Sequence, residues 1–336
     1  MSGSDLYSIR VERAIYNWYL EGKEHANPGP IFNAVKDGID HDMQVLIPIE
    51  TPAAFLEAIG DPEKAEVGDT FAVPEKTRIR FLHLDAGDGK YYIPLFTSEE
   101  ERQKGEPTSV INHSLGELLK ALPIWPDCLG FVLNVFDQKL YIPKEKRELF
   151  LNHEKRSQIG LIRGSVLLPH VDAIVNAANR SLLGGGGVDG AIHHAAGPEL
   201  LEECRTLNGC RTGEAKITKA YNIKTSEYII HTVGPVYHGT EADAELLFMC
   251  YFNSLELAAT RGLTSIAFPG ISTGVYGYPL DQASSIALRA VARWFEEHSD
   301  YAMNVYFCCY REDEMQAFRK VLFPIPGDDI ESESAK

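Results

Sequence analysis

Residues 171–198, VDAIVNAANRSLLGGGGVDGAIHHAAGP, constrain this chain more than any other stretch. An apolar run at 173–175 leads into Asn176-Ala177-Ala178-Asn179. Consecutive glycines then fill 184–187, followed by Val188-Asp189-Gly190 and a segment of helical character. A strand that opens through a glycine loop into a helix start presents backbone N–H groups to an anion. This loop also carries a carboxylate, Asp189, and a carboxamide, Asn179, so it reads as a phosphate cradle with a reactive group built in. It is not a P-loop, because G-x-x-x-x-G-K-[ST] is missing. Nor is it the dinucleotide G-x-G-x-x-G turn: the preceding strand already ends at 176–179, and the acidic ribose-binding residue is not placed. A second loop, Gly270-Ile271-Ser272-Thr273-Gly274-Val275-Tyr276-Gly277, adds hydroxyls and further N–H groups. Two such loops facing each other would hold a diphosphate.

From Gln158 onward the pattern alternates strand and helix. Apolar runs predict strands at 159–162, 173–175, 215–220, 228–233, 265–268 and 304–308. Ala283, Ile286, Ala287, Ala290, Val291 and Trp294 mark one buried helical face, and Leu247, Tyr251, Ser254, Leu255 and Ala258 another. The expectation is an α/β fold with three layers and a largely parallel sheet, whose ligands lie beyond the carboxyl ends of the strands. Both special loops fall there. The first 150 residues mix strands and helices without strict alternation, which suggests a smaller α+β domain. A helix is expected over 8–19, a strand over 44–48, a hairpin between 78–84 and 90–94, and a second hairpin between 131–135 and 139–142. Ser114-Leu115-Gly116-Glu117 is a capping box. The charge-rich stretch 144–157 marks a boundary. It gives domains at 1–150 and 158–325, with a disordered acidic tail at 326–336.

The length of 336 residues suits about two domains. A net charge of −16 without a long basic run argues against duplex nucleic acid as a partner. An acidic chain still binds anions where backbone N–H groups and helix ends supply local positive potential. The first 25 residues hold Arg10, Glu12, Arg13 and Glu21 and no apolar core, so a signal peptide is not expected, and no run reaches membrane-spanning length. The six cysteines are scattered without C-x-x-C spacing. Cys204 and Cys210 come nearest a metal pair but have no matching partners. Buried thiols in a reducing cytoplasm are therefore expected, with no metal and no cofactor.

Val175-Asn176-Ala177-Ala178-Asn179, the glycine loop through Asp189-Gly190, His231-Thr232-Val233-Gly234-Pro235, Phe268-Pro269 and residues 271–279 closely resemble the macrodomain family, in its MacroD-type class of ADP-ribose-processing enzymes. The resemblance covers about residues 158–324. It implies a three-layer α/β/α macrodomain with a mostly parallel mixed sheet. It assigns Asn179 to the distal ribose of ADP-ribose and Asp189 to the role of catalytic base or water orienter. Ala178, Gly186, Gly187 and Val188 match the first ligand-side loop, and Ser272, Thr273, Gly274, Val275 and Tyr276 the loop around the diphosphate. Ser165 and Val166 match the adenine end, with Tyr310 as the aromatic beside the base. The family usually carries an aspartate where Ser165 stands, so charge assistance worth ~1–2 kcal/mol is lost at the adenine amino group. His194 stands where an arginine is usual. In the first half, Tyr92-Ile93-Pro94-Leu95-Phe96-Thr97-Ser98 and Leu140-Tyr141-Ile142-Pro143-Lys144-Glu145 resemble the N-terminal domain of SseB-like proteins. That implies an interaction module with a protein partner and no chemistry of its own; His25, His41, His83 and His113 are isolated along the sequence.

Hydrolysis at an anomeric carbon passes through an oxocarbenium-like state and normally uses two carboxylates. One suffices if the leaving group needs no proton, as with ADP-ribose esterified to Asp or Glu. An arginine-linked substrate would need a general acid that the sequence does not supply. The expected function is removal of mono-ADP-ribose from acidic residues of proteins, deacetylation of O-acetyl-ADP-ribose, or both. ADP-ribose and ADP-ribosylated proteins are then the partners. The alternatives are a non-catalytic ADP-ribose reader, which has no need of Asp189 and Asn179, and a pure interaction scaffold.

Overall fold

The computed structural model describes residues 3–22, 26–50 and 79–323. The expected acidic tail, His25 and the start of the 78–84 strand lie outside them. The chain divides into two units that do not follow a single cut. Met1–Ile15 groups with Ile31–Lys155, and Tyr16–Pro30 groups with Arg156–Lys336.

In the first unit, α1 (Gly3–Glu21, through Ile15) and α2 (Gly29–Asp40) precede β1 (Gln44–Ile49), β2 (Leu84–Gly87) and β3 (Lys90–Leu95). Then come α3 (Glu99–Gln103), β4 (Ser109–Ser114), α4 (Leu115–Ala121), β5 (Cys128–Leu133), β6 (Leu140–Pro143) and α5 (Arg147–Leu151). Strands β1 and β4 pair antiparallel, and the other four form a sheet in the order β2-β3-β5-β6. Ser114 Oγ caps α4 by accepting from the Glu117 N–H. The first hairpin forms later in the chain than expected. Asp88 and Gly89 take φ of 53° and 72°, the left-handed pair that a two-residue turn requires. The strand leading in is therefore Leu84–Gly87, and Phe81 instead bridges to Ile49.

The second unit is built on β7 (Gln158–Arg163), β8 (Ala173–Ala177), β9 (Ala215–Lys219), β10 (Tyr228–Thr232), β11 (Ser265–Pro269) and β12 (Asn304–Cys309). Their order is β7-β12-β11-β8-β10-β9, all parallel except β9, which runs antiparallel to β10. Strict alternation buries both faces. Val175, Ile230, Phe268, Val305 and Phe307 pack under α8 (Glu241–Thr260), α9 (Leu280–Glu297) and α10 (Glu312–Leu322). Ile174, Ile229, Ala267, Tyr306 and Cys308 pack under α6 (Gly187–Ala196) and α7 (Pro198–Thr206). Three layers result. The end of α1 belongs to this unit as well: Asn17 Nδ2 donates to the His170 carbonyl and Asn17 Oδ1 accepts from the His170 N–H, both at 2.8 Å. The carboxyl ends of five parallel strands therefore open on one edge of the sheet, where α6 begins. Among the described residues no helix is long and apolar enough to cross a membrane, no cluster of His, Cys, Asp and Glu suits a metal ion, and all six cysteines are buried and free.

Candidate functional site

Asp189 lies in the first turn of α6, where unpaired N–H groups favour negative charge, and it is only 3% exposed. Burial obliges such a carboxylate to find donors. Its Oδ1 accepts from Asn176 Nδ2 at 2.7 Å, and its Oδ2 lies 3.4 Å from Asn179 Nδ2. A carboxylate only accepts, so the Asn176 atom facing it is the amide nitrogen. That nitrogen also reaches His231 Nδ1 at 3.1 Å, and His231 Nε2 meets Thr218 Oγ1 at 2.9 Å. The tautomer follows. Nδ1 accepts from Asn176, so the ring proton sits on Nε2 and goes to Thr218. Burial, and after it the nearby His193, lowers the His231 pKa to about 3, so the ring stays neutral. Sheet register sets this row: Asn176 on β8 stands opposite His231 on β10, and both point to the α6 face.

His193, one helical turn after Asp189, places Nε2 at 3.5 Å from Asp189 Oδ1, and this nitrogen is buried without a hydrogen-bond partner. Asn176 Oδ1 and Ser272 Oγ are likewise buried and unpartnered. Buried polar atoms without partners are rare, and three of them around one strand edge leave the site able to take up a polar ligand.

The glycine loop is tied down by Asn179. Its Nδ2 donates to the Gly184 carbonyl at 2.8 Å, while its Oδ1 accepts from the Ser181 N–H at 3.0 Å and from the Ser181 hydroxyl at 2.6 Å. Close backbone approach explains two of the glycines. A Cβ on Gly190 would stand 2.5 Å from the Gly185 carbonyl, and one on Gly185 would stand 3.0 Å from Asp189 Oδ2. Gly186 is the N-cap of α6, and Gly187 and Val188 open its first turn, so their N–H groups face the edge. Ala178 is buried in the core beneath, and its N–H donates to the Thr232 carbonyl at 2.9 Å.

The second loop leaves β11. Ser272 takes φ 65° with its carbonyl bonded to the Tyr278 N–H at 3.0 Å, and the Gly277 N–H closes on the Gly274 carbonyl at 3.0 Å. Among the described residues the N–H groups of Thr273, Gly274, Val275 and Tyr276 form no hydrogen bond. Val275 is fully exposed at the tip, and Tyr276 is half-buried. Ser165 and Tyr310 stand at the ends of the neighbouring strands β7 and β12, joined by the Gly164 N–H to the Cys309 carbonyl at 2.9 Å. Tyr310 is 73% exposed, whereas Val166 is buried in the core. Ser165 Oγ accepts from the Leu167 N–H at 3.2 Å, so its own proton is the part left to offer. His194 is exposed.

The residues singled out from the sequence thus form three groups along adjacent strand ends: Ser165, Val166 and Tyr310; then 272–276; then Ala178, Asn179, 186–188 and Asp189. Sequence reasoning left His193, Asn176, His231 and Thr218 without roles. The i,i+4 spacing of Asp189 and His193 on one helix was the signal for the first. The others are brought in by strand pairing.

The family model for the Macro domain matches residues 175–287, and that for the SseB protein N-terminal domain matches residues 42–146. A macro domain-containing protein of Chlorobaculum tepidum is 53% identical over 165 residues, which is 49% of this chain and 95% of that protein. The chain belongs to the macrodomain family. The chain is also 45% identical over 212 residues to the ADP-ribose glycohydrolase MACROD1 of Bos taurus; the match takes in 62% of each chain, less than two thirds of that relative. Among solved structures, the Trypanosoma brucei macrodomain in complex with ADP-ribose is 49% identical, with a TM-score of 0.47, over 49% of this chain and 69% of that one. The Oceanobacillus iheyensis macrodomain with ADP is 42% identical, with a TM-score of 0.48, over 51% and 93%.

Proposed function

We propose that this macrodomain is an ADP-ribose hydrolase that releases mono-ADP-ribose from Asp and Glu side chains of proteins, and that it also cleaves the ester of O-acetyl-ADP-ribose. The observation that carries the reading is the buried Asp189, held from below by Asn176 and facing the free His193 Nε2. A binding module has no use for such a pair at the loop edge. The glycine loop and residues 273–276 hold the diphosphate on backbone N–H groups, and Asn179 fixes the loop beside the distal ribose. Asn176 occupies Asp189 Oδ1, so Oδ2 is the oxygen that orients a water and takes its proton. His193 Nε2, 3.5 Å from Oδ1, supports the same carboxylate from its other oxygen. The water oxygen bonds to the anomeric carbon as the ester C–O bond breaks, and the electron pair leaves on the carboxylate. That group needs no acid, which fits a site with a single carboxylate at its centre. For the SseB-like unit we propose a protein-docking role that selects ADP-ribosylated partners.

Incubation with a glutamate-linked mono-ADP-ribosylated protein should release free ADP-ribose, and Asp189→Asn should lower the rate by about 10²–10⁴ with ADP-ribose affinity nearly unchanged. Tight ADP-ribose binding with no release by the wild-type chain would mean a reader instead.

A further inference from the structure

A cavity of about 420 Å³ opens beside the Asn179 turn, with Arg180, Thr212, Val236, His238, Leu246 and Tyr276 among its walls. It adjoins the site already described on two sides. Arg180 follows Asn179 directly, and Tyr276 belongs to the diphosphate loop, with its carbonyl bonded to the Tyr237 N–H at 2.9 Å.

The position of Arg180 is fixed. Its carbonyl accepts from the Cys210 N–H at 3.0 Å, and Gly209, at φ 75°, comes so close that a Cβ there would stand 2.7 Å from that carbonyl. Its guanidinium donates through Nε and Nη2 to Thr212 Oγ1 at 3.1 and 3.0 Å. Thr212 is itself pinned by a bridge to Val233. Among the described residues no carboxylate pairs with this guanidinium, although the chain carries a net charge of −16. The acidic residue of the cavity, Asp243, is already engaged: Oδ2 accepts from the His238 and Thr240 N–H groups at 2.8 and 3.0 Å, and Oδ1 lies 3.7 Å from His238 Nδ1. Arg180 therefore presents the cavity's free charge, with a planar fork suited to two carboxylate oxygens.

We propose that this cavity is the acceptor-side pocket of the site, taking the Asp or Glu side chain that carries the ADP-ribose, with Arg180 receiving the carboxylate as it departs. The inference rests on the hydrolase reading and names its substrate side. When the ester bond to the anomeric carbon breaks, the electron pair stays on the acceptor carboxyl and the water proton goes to Asp189, so a new anion forms where only a cation can welcome it. The apolar walls, Val236 and Leu246, suit the methylenes and backbone of the acceptor peptide.

The test compares wild type, Arg180→Ala and Arg180→Lys on a glutamate-linked mono-ADP-ribosylated peptide, with ADP-ribose titrations alongside. Arg180→Ala should lower kcat/KM about tenfold or more, the range of a lost charged hydrogen bond, and leave the ADP-ribose Kd unchanged; Arg180→Lys should recover part of the loss. Binding of the intact ADP-ribosylated peptide, measured in the Asp189→Asn background, should weaken by a similar factor with Arg180→Ala. This readout does not depend on turnover. Equal peptide affinity and equal turnover with and without Arg180, or a parallel loss of free ADP-ribose affinity, would overturn the pocket assignment. Failure of the wild-type chain to release any ADP-ribose would instead overturn the hydrolase reading, leaving the peptide titration to decide on Arg180.

Discussion

Asn176→Ala separates the buried polar row from everything else at the site. The substitution removes a 2.7 Å bond to the Asp189 carboxylate and a 3.1 Å bond to His231 Nδ1. A charge-assisted bond contributes about 1.5–3 kcal/mol and a neutral one about 1 kcal/mol. The unpartnered Asn176 Oδ1 disappears as well, which offsets about 1 kcal/mol of the loss. The net cost is roughly 2 kcal/mol, which in a unit of about 150–250 residues lowers Tm by about 4–8 °C. Asp189 also loses the donor that orients it, so kcat should fall about 10–100-fold, as for an interaction worth about 1.4–3 kcal/mol in the transition state, with little change in ADP-ribose affinity. Thermal unfolding followed by near-UV circular dichroism, with an ADP-ribose release assay, reads both effects. His231→Leu completes a cycle with Asn176→Ala, and the two should fail to add because they share one bond. A Tm within a degree of wild type together with full turnover, or strictly additive losses, would refute the idea that the row holds Asp189 in place.

Three further outcomes follow from the same geometry. Gly190→Ala, whose Cβ would meet the Gly185 carbonyl at 2.5 Å, should distort the cradle and weaken ADP-ribose binding at least tenfold by calorimetry; Gly186→Ala, with nothing within 4 Å, should bind within about twofold of wild type. Ser165→Asp keeps an acceptor for the Leu167 N–H and adds a charged oxygen, so ADP-ribose affinity should rise about tenfold, and no change would place the base elsewhere. Stability against pH should show opposing slopes. His231, at about 3 in the fold against about 6.5 unfolded, loses stability as pH falls below about 6.5; Glu21, raised by burial to about 7, loses stability as pH rises above about 4.5. Denaturant titrations between pH 4.5 and 6.5 should therefore become more stable with rising pH in Glu21→Gln and less stable in His231→Gln, each by about one proton of slope relative to wild type.

The central strands of the macrodomain are legible in the sequence because burial on both faces leaves continuous apolar runs. Residues 304–308 and 265–268 fall inside β12 and β11 for that reason. The first hairpin lies later than the sequence suggests because the left-handed residues are Asp88 and Gly89, and an Ala-Gly-Asp-Gly run does not say which pair turns. The packing of residues 16–30 with the second unit was not legible. It rests on Asn17 with His170 and on Asn27 Nδ2 with Gln158 Oε1 at 3.0 Å, bonds that no local pattern announces. At the site, the loops and Asp189 were legible as chemistry in a glycine frame. The support beneath them was not, since Thr218, His231 and Asn176 come from three different strands.

The pairing of Asn176 with His231 has a consequence for how this family can vary. Along β8 and β10 the residues on either side, Val175 and Ile230, face the opposite helical layer. Deleting or adding one residue within either strand would turn the amide and the imidazole into the oily layer beneath α8 and α9, and would set isoleucine or valine against Asp189. The connection between these strands carries the glycine cradle and Asp189, so the strands act as the reading frame that aims it. A single-residue frameshift inside 173–177 should lose fold and activity together.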